Sequence, residues 1–263
     1  MTGMARDYSK TVSIIIPVFR LEKYINDTLD CIVAQSYEDW ELILVDDHSD
    51  DASAELIEKY VADKGLQEKV LLFHQTDEKS AACARNRGVR ESHGRYIAYL
   101  DGDDVWREDK LERELAFLQE KNAAFVFTGY EFADANAVGT GKIVHVPETI
   151  NYKQALKNTT IFTSTVMFDT EKIAREKLMM PLIKSEDTAM WWRLLREGLI
   201  AYGLNENMVL YRRPGKNGKT LSSNKFEAIK RVWAIYRKAE GLNVFGSAYY
   251  FCFWAVRAVL RRI

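Results

Sequence analysis

The chain has only three cysteines, Cys31, Cys83 and Cys252, and they are scattered without metal-ligand spacing. So odd and sparse a set points to reduced thiols in a cytoplasmic protein. Long hydrophobic runs are missing as well. No stretch reaches the roughly 20 uninterrupted apolar residues that a spanning helix needs, and the opening "MTGMARDYSK" has no apolar core of a signal peptide. Charge of one sign is also lacking: a net −1 excludes a chain that is basic throughout and built to hold nucleic acid. There is no GxxxxGK loop and no GxGxxG after a strand, so ordinary ATP and dinucleotide sites are unsupported. Repeats and low-complexity linkers are absent too. What remains is a chain of 263 residues, 47% apolar and 29% charged, with the makings of a sizeable core.

The first half alternates strand and helix. "VSIIIPVF" is the continuous apolar run of a central parallel strand. "WELILVDD", "KVLLFH" and "RYIAYL" read as further strands, and "YINDTLDCIVAQ", "AACARNRGVRES" and "KLERELAFLQEK" as helices. Such repetition predicts an α/β fold, a mostly parallel sheet flanked by helices. The second half is less regular. "AAFVFTGYEFAD" and "GTGKIVHVPE" read as strands, "FTSTVMFDTEKIA" as a strand entering a helix, and "KSEDTAMWWRLLREG" as a helix opened by acids.

Three strands end in distinctive residues: Pro17 to Phe19, Asp46-Asp47, and the run "DGDD" that holds Asp101, Asp103 and Asp104. Ligands of open α/β sheets bind at the carboxyl ends of the strands, where one crevice could gather all three. Acids this close repel one another unless a cation or water sits among them. A hard cation such as Mg²⁺ takes one or two carboxylates plus a substrate's phosphates. His74, His93 and His145 show no ligand pattern.

Four motifs in order, "VSIIIPVF…LILVDDHS", "AACARNRG", "YIAYLDGDD" and "SEDTAMWWRL", resemble the bacterial family 2 glycosyltransferases over about four-fifths of the chain. That resemblance implies the GT-A fold and inverting transfer of a sugar from a nucleotide-sugar. Position by position, it implies that Pro17 and Phe19 line the base pocket and that Asp47 accepts a hydrogen bond from the imide of uracil, supported by Asp46. Thymine offers the same imide. Arg85 would neutralise nucleotide charge, Asp101 approach the ribose, and Asp103 ligate Mn²⁺ or Mg²⁺ beside the diphosphate. Arg212 or Arg213 would help the leaving group. Asp187 would be the general base, preferred over Glu186, with Trp191 and Trp192 near the acceptor. The family's usual "DDGS" is "DDHS" here, at His48.

Residues 1–222 are read as the catalytic domain and 223–263 as a basic amphipathic helical tail. The tail holds eight basic residues from Lys225 to Arg262 against Glu227 and Glu240, a net +6 that leaves −7 for the rest. Phe226, Ile229, Trp233 and Tyr236 recur at helical spacing, and "FGSAYYFCFWAVRAVLRRI" follows. Aromatic and basic residues together suit the water–lipid boundary; the alternative is a helix pair packed on the domain or a dimer contact. The expected enzyme therefore uses a UDP-sugar donor and a saccharide or lipid-linked oligosaccharide acceptor, at the inner face of the cell membrane, in surface polysaccharide synthesis. A non-catalytic nucleotide-sugar-binding scaffold would have no need of Asp47, Asp103 and Asp187 together.

Overall fold

Residues 7–76, 78–157, 160–213 and 225–260 are described by a computed structural model of the protein, the side chains of 225–228 and 258–260 excepted. The apolar runs of the first half become β1 (Val12–Val18), β2 (Trp40–Asp46), β3 (Val70–His74) and β4 (Tyr96–Tyr99), parallel and in the order β3-β2-β1-β4. Their register sets Val18 beside Asp46 and Asp46 beside His74. The carboxyl ends therefore share one edge.

Between these strands run α1 (Ile25–Val33), α2 (Ser53–Lys64) and α3 (Ala81–Glu91); the short β5 (Val105–Trp106) and α4 (Lys110–Glu120) follow. Successive side chains of a strand point to opposite faces. Ile14 and Ile16 accordingly join Leu29, Ile57 and Leu111 in one core, while Ile15 joins Val89 of α3 in the other. Burial on both faces is what made β1 read as an unbroken apolar run. At Gly88, α3 lies so close to β1 that a Cβ would overlap Ile15 Cγ2. The glycine of "ARNRG" thus lets the helix that carries Arg85 lie down on the sheet.

The second half supplies β6 (Phe125–Ala133), β7 (Gly139–Val144), β8 (Thr149–Ile150), α5 (Tyr152–Ala155), β9 (Val166–Asp169), α6 (Glu186–Arg196) and β10 (Ala201–Arg212). The sheet continues from β4 as β9-β6-β10-β5. β9 runs antiparallel to both its neighbours, whereas β6 and β10 are parallel. The sheet is therefore parallel through its first four strands and mixed beyond them. No α-helix follows β9 directly, contrary to the expectation for "DTEKIA"; a 3₁₀ turn at Arg175–Leu178 comes next. The buried Asp169 carboxylate takes both arms of Arg95 at 3.0 and 2.9 Å, and the chain closes in one turn there, with Ile173 N donating to Asp169 O.

The tail forms α7 (Lys225–Ala234), a π-helical turn at Ile235–Ala239 and α8 (Val244–Leu260). Val232, Ile235 and Tyr236 are buried against the domain, and Tyr236 donates its hydroxyl to Leu156 O at 2.6 Å. Tyr250, Phe251 and Trp254 of α8 pack onto the same core. The opposite side of α8 leaves Phe245, Tyr249, Phe253 and Val256 exposed, Phe245 by 85%. Arg261, Arg262 and the side chains of Lys225 and Phe226 lie outside the described residues.

Candidate active site

Arg85 is where the separate motifs meet. It stands on α3, whose N-cap Ser80 accepts a bond from Cys83 N. Its guanidinium donates to Asp101 at 2.5 Å and to Glu186 at 2.9 Å, joining the turn after β4 to the first turn of α6. The next residue, Asn86, exchanges bonds with the Met180 backbone at 2.8 and 2.6 Å, pinning the segment that leads into α6. Burial works against the Arg85 charge, but Asp101, Glu186 and Asp187 outweigh it and raise its pKa. Arg85 is therefore a clasp between acids, with only Nε lacking a partner among the described residues.

Asp187 sits one residue beyond that clasp. It accepts from the Thr163 hydroxyl at 3.1 Å and from Thr188 N at 2.6 Å. Ser185, the residue before α6, takes a left-handed backbone (φ 61°), which turns the chain sharply into the two acids. Burial pushes the Glu186 carboxyl up while Arg85 opposes it. The two acids thus differ in employment: Glu186 is held by an arginine, Asp187 by a hydroxyl.

The "DGDD" turn is braced from below. Ser164 accepts from Asp101 N at 3.1 Å and donates to the buried Asp104 at 2.5 Å. Asp104 in turn accepts from Arg212 N at 3.1 Å, and Trp106 donates its indole N–H to Ser164 O at 2.7 Å. Burial and the charges of Asp103 and Asp101 hold the Asp104 carboxyl well above its usual range. Asp103 does not share those braces. Burial, then repulsion from Asp101, pushes its carboxyl up to about 6. Gly102 allows the turn, since a Cβ there would overlap Leu21 Cδ1.

Arg212, at the end of β10, is 2% exposed. One nitrogen donates to Asp27 at 2.9 Å, and its Nε and Nη1 have no partner among the described residues. Unpaired buried donors are costly, and these two could donate to the oxygens of an anion. Beside it, Asp103 is a carboxylate whose neighbours make it want a cation. No group of three His, Cys, Asp or Glu suited to a metal occurs among the described residues. A metal held by Asp103 would accordingly need ligands from a bound diphosphate, and the Arg212 donors fit that diphosphate.

At the other end of the edge, Asp47 is buried, donates its own N–H to Val18 O at 2.7 Å and accepts from Ser80 N at 3.2 Å. Asp46 accepts from Ser49 N at 3.2 Å and faces His74 Nδ1 at 3.3 Å. Pro17 is half-buried, and Phe19 is 38% exposed with Lys79 Nζ 3.7 Å from its ring centre. His48 adopts φ 61°. The left-handed turn that a glycine gives without strain is kept here by a histidine, one of the side chains better tolerated in that region.

Trp191 and Trp192 correct the sequence reading. Both are 2% exposed. Trp191 stacks on Phe168, ring centres 5.5 Å apart, and touches Phe125 and Tyr99; Trp192 stacks on Tyr236 at 5.1 Å. Adjacent helix residues point in different directions, and on α6 one direction leads under the sheet and the other under the tail. Neither tryptophan presents a ring to an acceptor. Thr163, Ser164, Asp27 and Lys79 were not singled out in the sequence. Only Lys79, two residues before the motif helix, carried any signal.

The model of "Glycosyl transferase family 2" matches residues 13–179. The chain belongs to that family. A Bacillus subtilis glycosyltransferase named for teichuronic acid biosynthesis, TuaG, is 37% identical over 98% of this chain and 99% of its own length. The Escherichia coli UDP-Glc:alpha-D-GlcNAc-diphosphoundecaprenol beta-1,3-glucosyltransferase WfgD is 31% identical over 85% of this chain and 84% of its own. Among solved structures, S. aureus TarS with UDP-GlcNAc has a TM-score of 0.67 at 17% identity, over 93% of this chain and 71% of that one. The mannosyltransferase PcManGT of Pyrobaculum calidifontis, with GDP-Man and Mn²⁺, has a TM-score of 0.65 at 16% identity, over 96% and 74%. The fold of this family 2 transferase is GT-A.

Proposed function

We propose that this family 2 enzyme is an inverting, metal-dependent glycosyltransferase that moves a sugar from a UDP-sugar to a lipid-linked saccharide in bacterial surface polysaccharide synthesis (lipopolysaccharide, O-antigen or capsule). One observation carries the reading: Arg85 holds the Asp103 turn and the Asp187 turn together. The UDP and the lipid-linked acceptor are supported by the names of the relatives, WfgD above all. Asp47, Asp46, Pro17 and Phe19 would hold the base, and Asp101 the ribose. Asp187 would take the acceptor hydroxyl's proton as that oxygen attacks the anomeric carbon from the face opposite the diphosphate. The anomeric bond to UDP then breaks, and Arg212 receives the charge that grows on the leaving group. A divalent ion, Mn²⁺ or Mg²⁺, bound through Asp103 would share that charge. A panel of nucleotide-sugars tested for metal-dependent hydrolysis and thermal stabilisation checks the assignment. A UDP-sugar is expected to win, and stabilisation by none of them ends it.

The exposed face of α8 supports a peripheral contact with the inner face of the membrane. Phe245, Tyr249, Phe253 and Val256 follow helical spacing, and the exposed Arg257 flanks them beyond Phe253. No helix among the described residues is long and apolar enough to cross a membrane. The full chain is expected to co-sediment with anionic liposomes at low salt. Phe245→Glu with Val256→Glu should weaken that binding about tenfold or more, because each loses an apolar side chain from the interface. A full chain that stays in the supernatant would remove the membrane role.

A further inference from the structure

Three consecutive residues before β9 touch three different parts of the molecule. Ser164 braces the "DGDD" turn, and the Thr163 hydroxyl donates to Asp187 at 3.1 Å. Phe162 meets Tyr211 instead, their ring centres 4.4 Å apart. Tyr211 in turn precedes Arg212, whose N–H donates to Asp104 at 3.1 Å. The two rings therefore stand one residue from the partner of Asp187 on one segment and one residue from Arg212 on the other. Adjacent residues are only about 3.8 Å apart along the chain.

The pair rests on a rigid aromatic floor. Tyr130 and Phe132 are buried, with Tyr130 5.2 Å from Phe162 and Phe132 5.6 Å from Tyr211 between ring centres. Phe162 and Tyr211 are themselves only half-buried. A phenol withdrawn from water usually finds a hydrogen-bond partner. The Tyr211 hydroxyl has none among the described residues. Burial, with the charges of Asp104 and Asp101, pushes that phenol up to about 12 against the opposing Arg213. It thus stays a donor at neutral pH, within reach of the field of the acid turn. Fixed aromatic faces with one convergent polar tip suit a saccharide ring, which has an apolar C–H face and oxygens at its rim.

We propose that Phe162 and Tyr211 form the platform for the acceptor's saccharide ring, Phe162 taking its C–H face and the Tyr211 hydroxyl donating to one of its oxygens. The inference rests on the transferase reading above and supplies, from β10 and the turn before β9, the aromatic contact that Trp191 and Trp192 do not make. Tyr211 is then a specificity-determining residue, because its donor favours a saccharide with an oxygen at that position.

The test loads the full chain with UDP and Mg²⁺, so that the donor site is filled, and titrates methyl glycosides of hexoses and N-acetylhexosamines by saturation-transfer NMR. At least one glycoside is expected to bind saturably, with saturation arriving at its ring C–H protons. Tyr211→Phe keeps the ring and should weaken that binding about three- to tenfold, the scale of one neutral hydrogen bond. Its UDP affinity and melting temperature should match the wild type. Phe162→Leu should weaken glycoside binding by a similar factor. Tyr37→Phe, which loses only a hydroxyl bonded to Lys10 O ahead of β1, should not change it. Three results would each overturn the platform: no glycoside bound by the UDP-loaded protein, unchanged binding in Tyr211→Phe, or a loss of UDP affinity in that variant equal to its loss of glycoside. In all three, UDP binding by the wild-type chain survives and the transferase reading stands. A wild-type chain that does not bind UDP would sink both.

Discussion

Asp187→Asn is expected to lower sugar transfer by about 10²–10⁴-fold, the usual worth of a general base, while UDP affinity stays within about twofold. Asparagine has nearly the shape of aspartate and can still accept the Thr163 hydroxyl that holds Asp187 at 3.1 Å. What it cannot do is accept a proton from a sugar hydroxyl. The loss should therefore fall on kcat and leave donor binding alone. Glu186→Gln makes the necessary contrast. Glu186 is the acid with the raised pKa, and on that ground alone it would pass for the base. Its carboxylate is nevertheless committed to Arg85. Removing that charge loosens the clasp to Asp101, so UDP affinity and thermal stability should fall along with kcat. Initial rates and UDP titrations of the two variants separate the roles. Unimpaired turnover by Asp187→Asn would remove it as the base, and a pure kcat loss in Glu186→Gln would hand the role to its neighbour.

That contrast also marks the boundary of what the sequence could show. β1, β2 and β4 were legible because strands buried on both faces must be apolar throughout, and the acids at the ends of β2 and β4 stood out against that background. The order of the motifs carried the family and the edge at which they gather. Partners across the fold were not legible. Asp104 meets Ser164 across 60 residues and Arg212 meets Asp27 across 185, and local pattern carries no record of such pairs. Ser164 lies in a short 3₁₀ turn before β9, where there is no periodicity to read. Trp191 and Trp192 misled because size and aromaticity suit a sugar platform and a core equally well. Only the packing of Phe168 and Tyr236 against them decides it. Arg85 was legible as a functional cation, but the structure spends its charge on Asp101 and Glu186.

Asp103→Asn is expected to separate function from stability. Metal-dependent UDP affinity should drop at least tenfold, and transfer by about 10²–10³-fold, the scale of losing one preorganised charge-stabilising group. The folded protein without metal should gain instead. Burial and Asp101 raise the Asp103 carboxyl to about 6, above the usual value of 3.8. An acid raised in this way is easier to ionise in the unfolded chain, so its charge costs folding stability at pH above about 6. That cost fades as pH falls through 6 and vanishes below the unfolded value. Asp103→Asn should accordingly melt about 2–4 °C above the wild type at pH 8, the shift that about 1 kcal/mol gives a chain of this size. At pH 4 the difference should be nearly gone. The same proton competes with a divalent ion for the carboxylate. Wild-type metal-dependent turnover is therefore expected to fall about tenfold for each pH unit below 6, an inflection that the asparagine variant's residual activity lacks. A variant that melts lower than the wild type at pH 8, or a melting difference that ignores pH, would mean that Asp103 is a braced turn acid like Asp104. A cation would then have no carboxylate waiting for it beside Arg212.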